Sequence, residues 1–151
     1  MKKQQKGFSL IELLIVVAII LIIAAIAIPN LLRSKMAANE ASAVGSLRTV
    51  NTASVAFSTT YGMYETNLSN LQKSGAVTSA AADLIDSVLA AGTKSGYTFS
   101  YTVGTSNLAY TITASPVVPG TTGQRYFYTD QSGVIRVDPA ATATSSSTPL
   151  G

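Results

Sequence analysis

Apolar side chains follow three different patterns along these 151 residues, and each pattern predicts a different element. Residues 8–28, FSLIELLIVVAIILIIAAIAI, are apolar on every side and interrupted only by Ser9 and Glu12. A run of that length predicts a helix of about 31 Å, the thickness of a bilayer's hydrocarbon core. Beyond Pro29 the pattern becomes one-sided. Ala43, Leu47, Val50, Ala53, Phe57 and Tyr61 recur at spacings of three and four, drawing one apolar stripe along a second stretch of helix. From Tyr97 the period drops to two: Tyr97-Thr-Phe99-Ser-Tyr101-Thr-Val103 and Leu108-Ala-Tyr110-Thr-Ile112-Thr-Ala114 alternate apolar and polar, with Gly104-Thr-Ser-Asn107 between them as hairpin chemistry. Residues 125–129 and 134–137 flank Asp130-Gln-Ser-Gly133 as a second hairpin.

These patterns predict an α+β fold. A long N-terminal helix, half membrane-spanning and half amphipathic, would lay its stripe on the apolar face of a roughly four-stranded antiparallel sheet. The expected organisation is a leader at 1–7, a transmembrane half-helix at 8–28, an amphipathic half-helix at 29–60, a connection at 61–96, the sheet at 97–137 and a tail at 138–151. Proline inside a helix removes a hydrogen bond and kinks the axis, so Pro29 is expected to break the helix between its halves. Continuous from residue 8 to 60, that helix would measure roughly 80 Å. In the connection, Asn67 is placed to cap LSNLQKSG and Ser79 to cap AAADLIDSVLAAG, each segment ending in glycine. The tail, Asp138-PAATATSSSTPLG, is low in complexity and expected to be disordered, with a composition that permits O-glycosylation.

Composition removes most chemistry. The chain has no cysteine and no histidine, which excludes disulfides, thiolate or imidazole metal sites and Ser-His-Asp or Cys-His catalysis. Asp83 and Asp86 stand three apart on an expected helix and invite an acid–base or calcium reading. Two carboxylates on an exposed helix lack the liganding loop of a calcium site, so no metal, cofactor or catalytic residue is assigned. The net charge of +3 comes from Lys2, Lys3 and Lys6; from residue 8 onward seven basic residues balance seven acidic ones. The seven, Arg33, Lys35, Arg48, Lys73, Lys94, Arg125 and Arg136, are scattered, so no specific nucleic-acid partner is evident. The ten tyrosines and phenylalanines beyond Phe8 sit mostly at strand spacing and read as core.

Lysines before the apolar run and few after it orient the segment with its N-terminus in the cytoplasm and the remainder exported. A secretory signal peptide shares the basic start, but its apolar stretch is roughly 7–15 residues, shorter than this one. The segment therefore reads as retained. Glu12 is what a plain anchor does not explain. A carboxylate costs about 2.5–3.5 kcal/mol at the bilayer centre and less near an end. Either Glu12 reaches the interface, or it awaits a cation within the membrane.

Lys6-Gly7-Phe8-Ser9-Leu10-Ile11-Glu12-Leu13-Leu14, followed by IVVAII and AAIAIPNL, resembles the prepilin signature of type IV pilins and of the pseudopilins of type II secretion. The resemblance is continuous over residues 6–32, and residues 96–137 resemble, less specifically, the C-terminal hairpins of pilin-like proteins. It implies a pilin-like fold and a prepilin peptidase that cuts after Gly7, removing Lys2, Lys3 and Lys6, then methylates the new amine on Phe8. It implies that Glu12 neutralises that amine, on its own chain or on a neighbour, as subunits assemble into a homo-oligomeric helical filament. It also implies that Pro29 loosens the helix, and that assembly machinery in the inner membrane is the remaining partner, with the lipid bilayer. Two departures stand out: Leu21 occupies a position where many members carry glycine, and the cysteine pair that closes a C-terminal loop in many members is missing. Pseudopilins often hold calcium near the C-terminus, where this chain offers only Asp130 and Asp138, so the expectation leans to a pilus subunit, major or minor. A type II secretion pseudopilin is the alternative, and a membrane-anchored exported binding protein or enzyme is the different class. Adhesion, twitching motility, DNA uptake and secretion all stay open as the use of the filament.

Overall fold

The computed structural model describes residues 7–72 and 78–150. Its contacts divide the chain into two units, Met1–Ser34 and Lys35–Gly151, and helix α1, Leu10–Tyr61, contributes to both. In the first unit α1 is helical through Pro29, and its residues other than the half-buried Ala24 are exposed. Ser34 donates its hydroxyl to the Asn30 carbonyl at 3.0 Å, one turn back.

The second unit has a core built as the stripe foretold. Ala43, Leu47, Val50, Ala53 and Phe57 are buried, and Tyr61 packs half-buried at the end of the row. Opposite them lies a sheet of six strands in sequential order, each antiparallel to its neighbours: β1 Thr93–Lys94, β2 Tyr97–Val103, β3 Tyr110–Pro116, β4 Tyr126–Asp130, β5 Arg136–Asp138 and β6 Thr148–Pro149. Period two decides which side chains face the helix. Tyr97 and Phe99 of β2, Tyr110, Ile112 and Ala114 of β3, and Phe127 of β4 join the core, with threonines and serines between them turned outward. Tyr110 donates to Asn51 Oδ1 at 2.8 Å, and the Asn51 amide donates to Thr129 at 2.9 Å.

Several expectations need correction. The sheet has two more strands than the four expected, because two-residue strands are too short to show an alternation. The second hairpin strand starts at Tyr110 rather than Leu108; Leu108 is 70% exposed, next to a 3-10 turn at Thr105–Asn107 in which Ser106 takes φ +62°. The tail is not disordered: β6 pairs with β5, Ala143 is buried, and Leu150 packs against the core. Proline in β6 fits an edge strand, where no donor is required of it. Ser79 caps no helix. α2 is only Ser87–Ala90, and its N-cap is Asp86, whose side chain accepts from Leu89 N–H at 2.9 Å. Asp83 lies outside the helix with φ +56°, so the two aspartates do not share a helical face. Asn67 does cap, but a single 3-10 turn, Leu68–Leu71, after which Gln72 is extended; the end of that expected helix, residues 73–75, lies outside the described residues.

The loop between β3 and β4 is fastened to α1 by two adjacent side chains. The Asn39 amide donates to Thr122 O at 2.7 Å. Glu40, buried, accepts from the backbone N–H of Gln124 and Arg125 at 2.9 and 3.1 Å and from Arg125 Nε at 2.8 Å. Burial alone would raise the Glu40 carboxyl, but these donors outweigh it and hold the group below its usual range. Under the loop, fully buried Tyr97 donates its hydroxyl to Arg125 O at 2.8 Å and passes directly beneath Gly123. A Cβ at Gly123 would lie 2.1 Å from the Tyr97 oxygen and 2.6 Å from Cζ. Gly123→Ala must therefore lift the loop and break the Tyr97 and Glu40 contacts together. A loss of ~3 kcal/mol is expected, a melting temperature lower by on the order of 10 °C, read by circular dichroism of the full-length chain. An unchanged melting temperature would mean that the loop is not fastened this way.

Candidate functional site

Gly7, Phe8 and Ser9 precede α1 and are exposed; Lys2, Lys3 and Lys6 lie outside the described residues. A helix leaves its first four N–H groups without intrahelical partners. Here the Ser9 carbonyl takes the first helical bond, from Leu13 N–H at 3.2 Å, which makes Ser9 the N-cap. The Ser9 N–H then donates to Glu12 Oε2 at 2.9 Å. Ser9-Leu10-Ile11-Glu12 is thus half of a capping box, in which the third helical residue reaches back to the cap's own amide. Glu12 also places negative charge where the helix dipole favours it. Sequence reasoning missed this role, although the S-x-x-E spacing carries the signal.

Gly7 has a different character. A Cβ there would meet nothing within 4 Å among the described residues, and its backbone does not lie in the left-handed region. Nothing in the described chain requires glycine at this position. Phe8 beside it is 81% exposed, and between Phe8 and Leu32 seventeen large apolar side chains are exposed. Burying such surface is favourable by about 25 cal/mol per Å², so this stretch calls for lipid or for other apolar helices. Among the described residues α1 is the one helix long and apolar enough to cross a membrane. Pro29 sits roughly 26 Å along the helix from Glu12, with helical residues on both sides.

What the arrangement offers is therefore an open, non-helical Gly7–Phe8 peptide bond, a carboxylate hydrogen-bonded to the next backbone amide beyond it, that of Ser9, and an apolar surface that follows. Outside this segment the sequence reading also overlooked Glu40 and Glu65, two buried carboxylates whose partners lie on other elements.

The prokaryotic N-terminal methylation motif matches residues 2–28. The chain is 60% identical over 38 residues to the type IV wide pilus major component of Thermus thermophilus, a match that covers 25% of this chain and 29% of that protein's length. The chain thus spans less than a third of the curated relative it matches, and the likeness concerns one segment. In that segment the chain is similar to a type IV pilin, and the segment leads into an α+β fold of a long apolar helix and an antiparallel sheet.

Proposed function

We propose that this chain is a structural subunit of a type IV pilus, without enzymatic activity. In this reading it is made as an inner-membrane precursor with its N-terminus in the cytoplasm, cleaved after Gly7 by a prepilin peptidase, methylated on Phe8 and drawn by the assembly machinery into a helical filament of identical subunits. One observation carries the reading: a glycine that the fold does not need stands at the start of seventeen exposed apolar side chains, with a single carboxylate one turn in. The relative's printed name as a pilus component supports the same use.

The residues divide the work physically. Cleavage removes Lys2, Lys3 and Lys6, three cations that an apolar bundle would reject, and exposes one α-amine that is cationic at neutral pH. Glu12 is the acidic group of the whole run and is free to exchange its contact with the Ser9 N–H for a contact with an amine. Pairing the two lets a helix enter the bundle without an uncompensated charge. Pro29 removes one hydrogen bond from α1, a place where the helix can loosen as it packs.

Intact-mass and N-terminal mass spectrometry of protein sheared from the cell surface tests processing and location together. The expected species begins at N-methyl-Phe8. A sheared protein that still carries residues 1–7 would overturn the reading and favour an anchored binding protein or enzyme. A mature Phe8 terminus found only in membranes, with none in the sheared fraction, would favour a type II secretion pseudopilin.

A further inference from the structure

Glu65, four residues beyond the end of α1, is 1% exposed. Its Oε1 accepts from the hydroxyl of Ser54, a buried residue of α1, at 2.5 Å. The Tyr101 hydroxyl of β2 is close enough to act on the carboxyl, yet neither that hydroxyl nor Glu65 Oε2 completes a hydrogen bond among the described residues. Tyr110 of β3 stacks on Tyr101 with centroids 5.5 Å apart and donates its own proton to Asn51. Tyr64 meets Tyr110 edge-on at 4.8 Å. One more charge reaches this cluster, that of Asp130 on β4, an acid that acts on Tyr110. The ion pairs among the described residues are Lys94 with Asp86 and Arg125 with Glu40, and Glu65 takes part in neither.

The described side chains that act on Glu65 are thus hydroxyls, and no cation offsets the loss of water from an ionised carboxylate. A buried acid in that position keeps its proton instead. Burial pushes the Glu65 carboxyl up, and the Ser54 hydroxyl, its own N–H and the Tyr101 hydroxyl only partly pull it back. With the proton on Oε2, the two orphaned oxygens serve each other: Glu65 donates to Tyr101 Oη while Oε1 still accepts from Ser54. The neutral carboxyl then ties α1 to β2. The segment is also held by Tyr64 N–H, which donates to Asn107 O at 2.8 Å, and by the buried Leu68 and Leu71.

We propose that Glu65 is a proton-operated latch: protonated, it fastens residues 62–66 to α1 and β2 through Ser54 and Tyr101, and on losing the proton it loosens that joint. The latch belongs to the second unit alone and is independent of how the N-terminal segment is processed. A carboxyl that holds its proton more tightly folded than unfolded stabilises fully below its unfolded value of about 4.3, and that contribution is lost as pH rises through the folded value. Glu40, Asp86, Asp130 and Asp138 are displaced downward, so their contributions are lost at the acid end instead. Tyr97, Tyr101, Tyr110 and Tyr128 are displaced upward, away from neutrality, and the chain has no histidine. The range from weakly acid to neutral is therefore where Glu65 is read.

The full-length chain in maltoside micelles tests it. Glutamates stand only at 12, 40 and 65, so selective carbon-13 labelling of their carboxyls lets NMR follow the Glu65 titration, assigned through the backbone. Its midpoint is expected above the ordinary value of about 4.3. Thermal unfolding by circular dichroism should show the unfolding constant rising between about pH 5 and about pH 7.5, by up to about tenfold per pH unit, the limit for one proton. Glu65→Gln cannot ionise, yet its amide can donate to Tyr101 while its oxygen accepts from Ser54. Over the same range its unfolding constant should stay flat, and amide exchange at Tyr64 in the unaltered chain should quicken relative to the variant as pH rises. Tyr101→Phe removes the acceptor of the proton and should lower the Glu65 midpoint. If Glu65→Gln does not fold, the midpoints in the unaltered chain and in Tyr101→Phe decide. A Glu65 midpoint at or below the ordinary value, the same rise with pH in a folded Glu65→Gln, no quickening at Tyr64 relative to that variant, or a midpoint raised or unmoved by Tyr101→Phe would each overturn the proposal.

Discussion

A Gly7→Val chain will accumulate in the membrane as full-length precursor, with residues 1–7 attached and no N-methylphenylalanine. The expectation follows from what Gly7 does not do. Its added Cβ would touch nothing among the described residues and its backbone is not in the left-handed region, so valine leaves helix α1 and the sheet intact. Any defect must arise in a second protein that needs to approach this backbone closely. Valine, branched at Cβ, is rigid and bulky at the scissile bond. Displacing a reacting carbonyl by even ~1 Å from its attacking group costs about 10²-fold in rate. Gly7→Ala, with one methyl, should slow processing by less. Intact-mass analysis of the membrane fraction over time reads both. A mature Phe8 terminus appearing in Gly7→Val at the unaltered rate would remove Gly7 from the cleavage site.

Some of this molecule was legible in its sequence because the physics is local or periodic. The helix stripe could be read since each of Ala43, Leu47, Val50, Ala53 and Phe57 must bury the same face, and a period near 3.6 declares that face without reference to the partner. Tyr97, Phe99, Tyr110 and Ile112 were legible for the corresponding reason at period two. Glu12 stood out because a hydrophobic run makes a charged exception conspicuous, whereas Gly7 and Phe8 were marked by the resemblance to the prepilin signature. What escaped was either too short or too distant. β1 and β6 have two residues each, and no alternation exists in two residues. The tail reads as disordered by composition, but Leu150 N–H donates to Ile135 O at 2.8 Å and Arg136 Nη1 to Ser147 O at 3.0 Å, contacts that need the sheet to be there first. Glu40 binds amides 84 and 85 residues away, and Glu65 is enclosed by Ser54 on α1 and Tyr101 on β2. Nothing adjacent to either glutamate in sequence distinguishes it from a solvated surface acid.

Charge pairing makes the sharper demand on Glu12. In Glu12→Val the run from Phe8 becomes apolar apart from Ser9, so insertion into the membrane and cleavage after Gly7 should proceed at least as well as before. Filament yield should collapse. The mature helix then carries a cationic amine and no carboxylate to neutralise it as it leaves lipid for the bundle. Removing one member of a buried pair costs about 3–5 kcal/mol, which shifts an assembly equilibrium several-hundred-fold or more. Glu12 has a second role, however, since it accepts from the Ser9 N–H at 2.9 Å and caps α1. Loss of a cap costs only ~1 kcal/mol. Glu12→Gln separates the two roles: its amide oxygen can still accept from Ser9 N–H, but it carries no charge. If capping is what assembly requires, Glu12→Gln will form filaments and Glu12→Val will not. If charge pairing governs, both will fail, mature subunit will build up in the inner membrane, and co-expressed unaltered subunit will restore assembly only in part, because every variant incorporated leaves one amine without its partner. Surface filaments counted by electron microscopy, alongside mature subunit in membranes by immunoblot, give the answer. Normal filament numbers in both variants would mean that Glu12 only reaches the membrane interface, and the pairing mechanism would have to be abandoned.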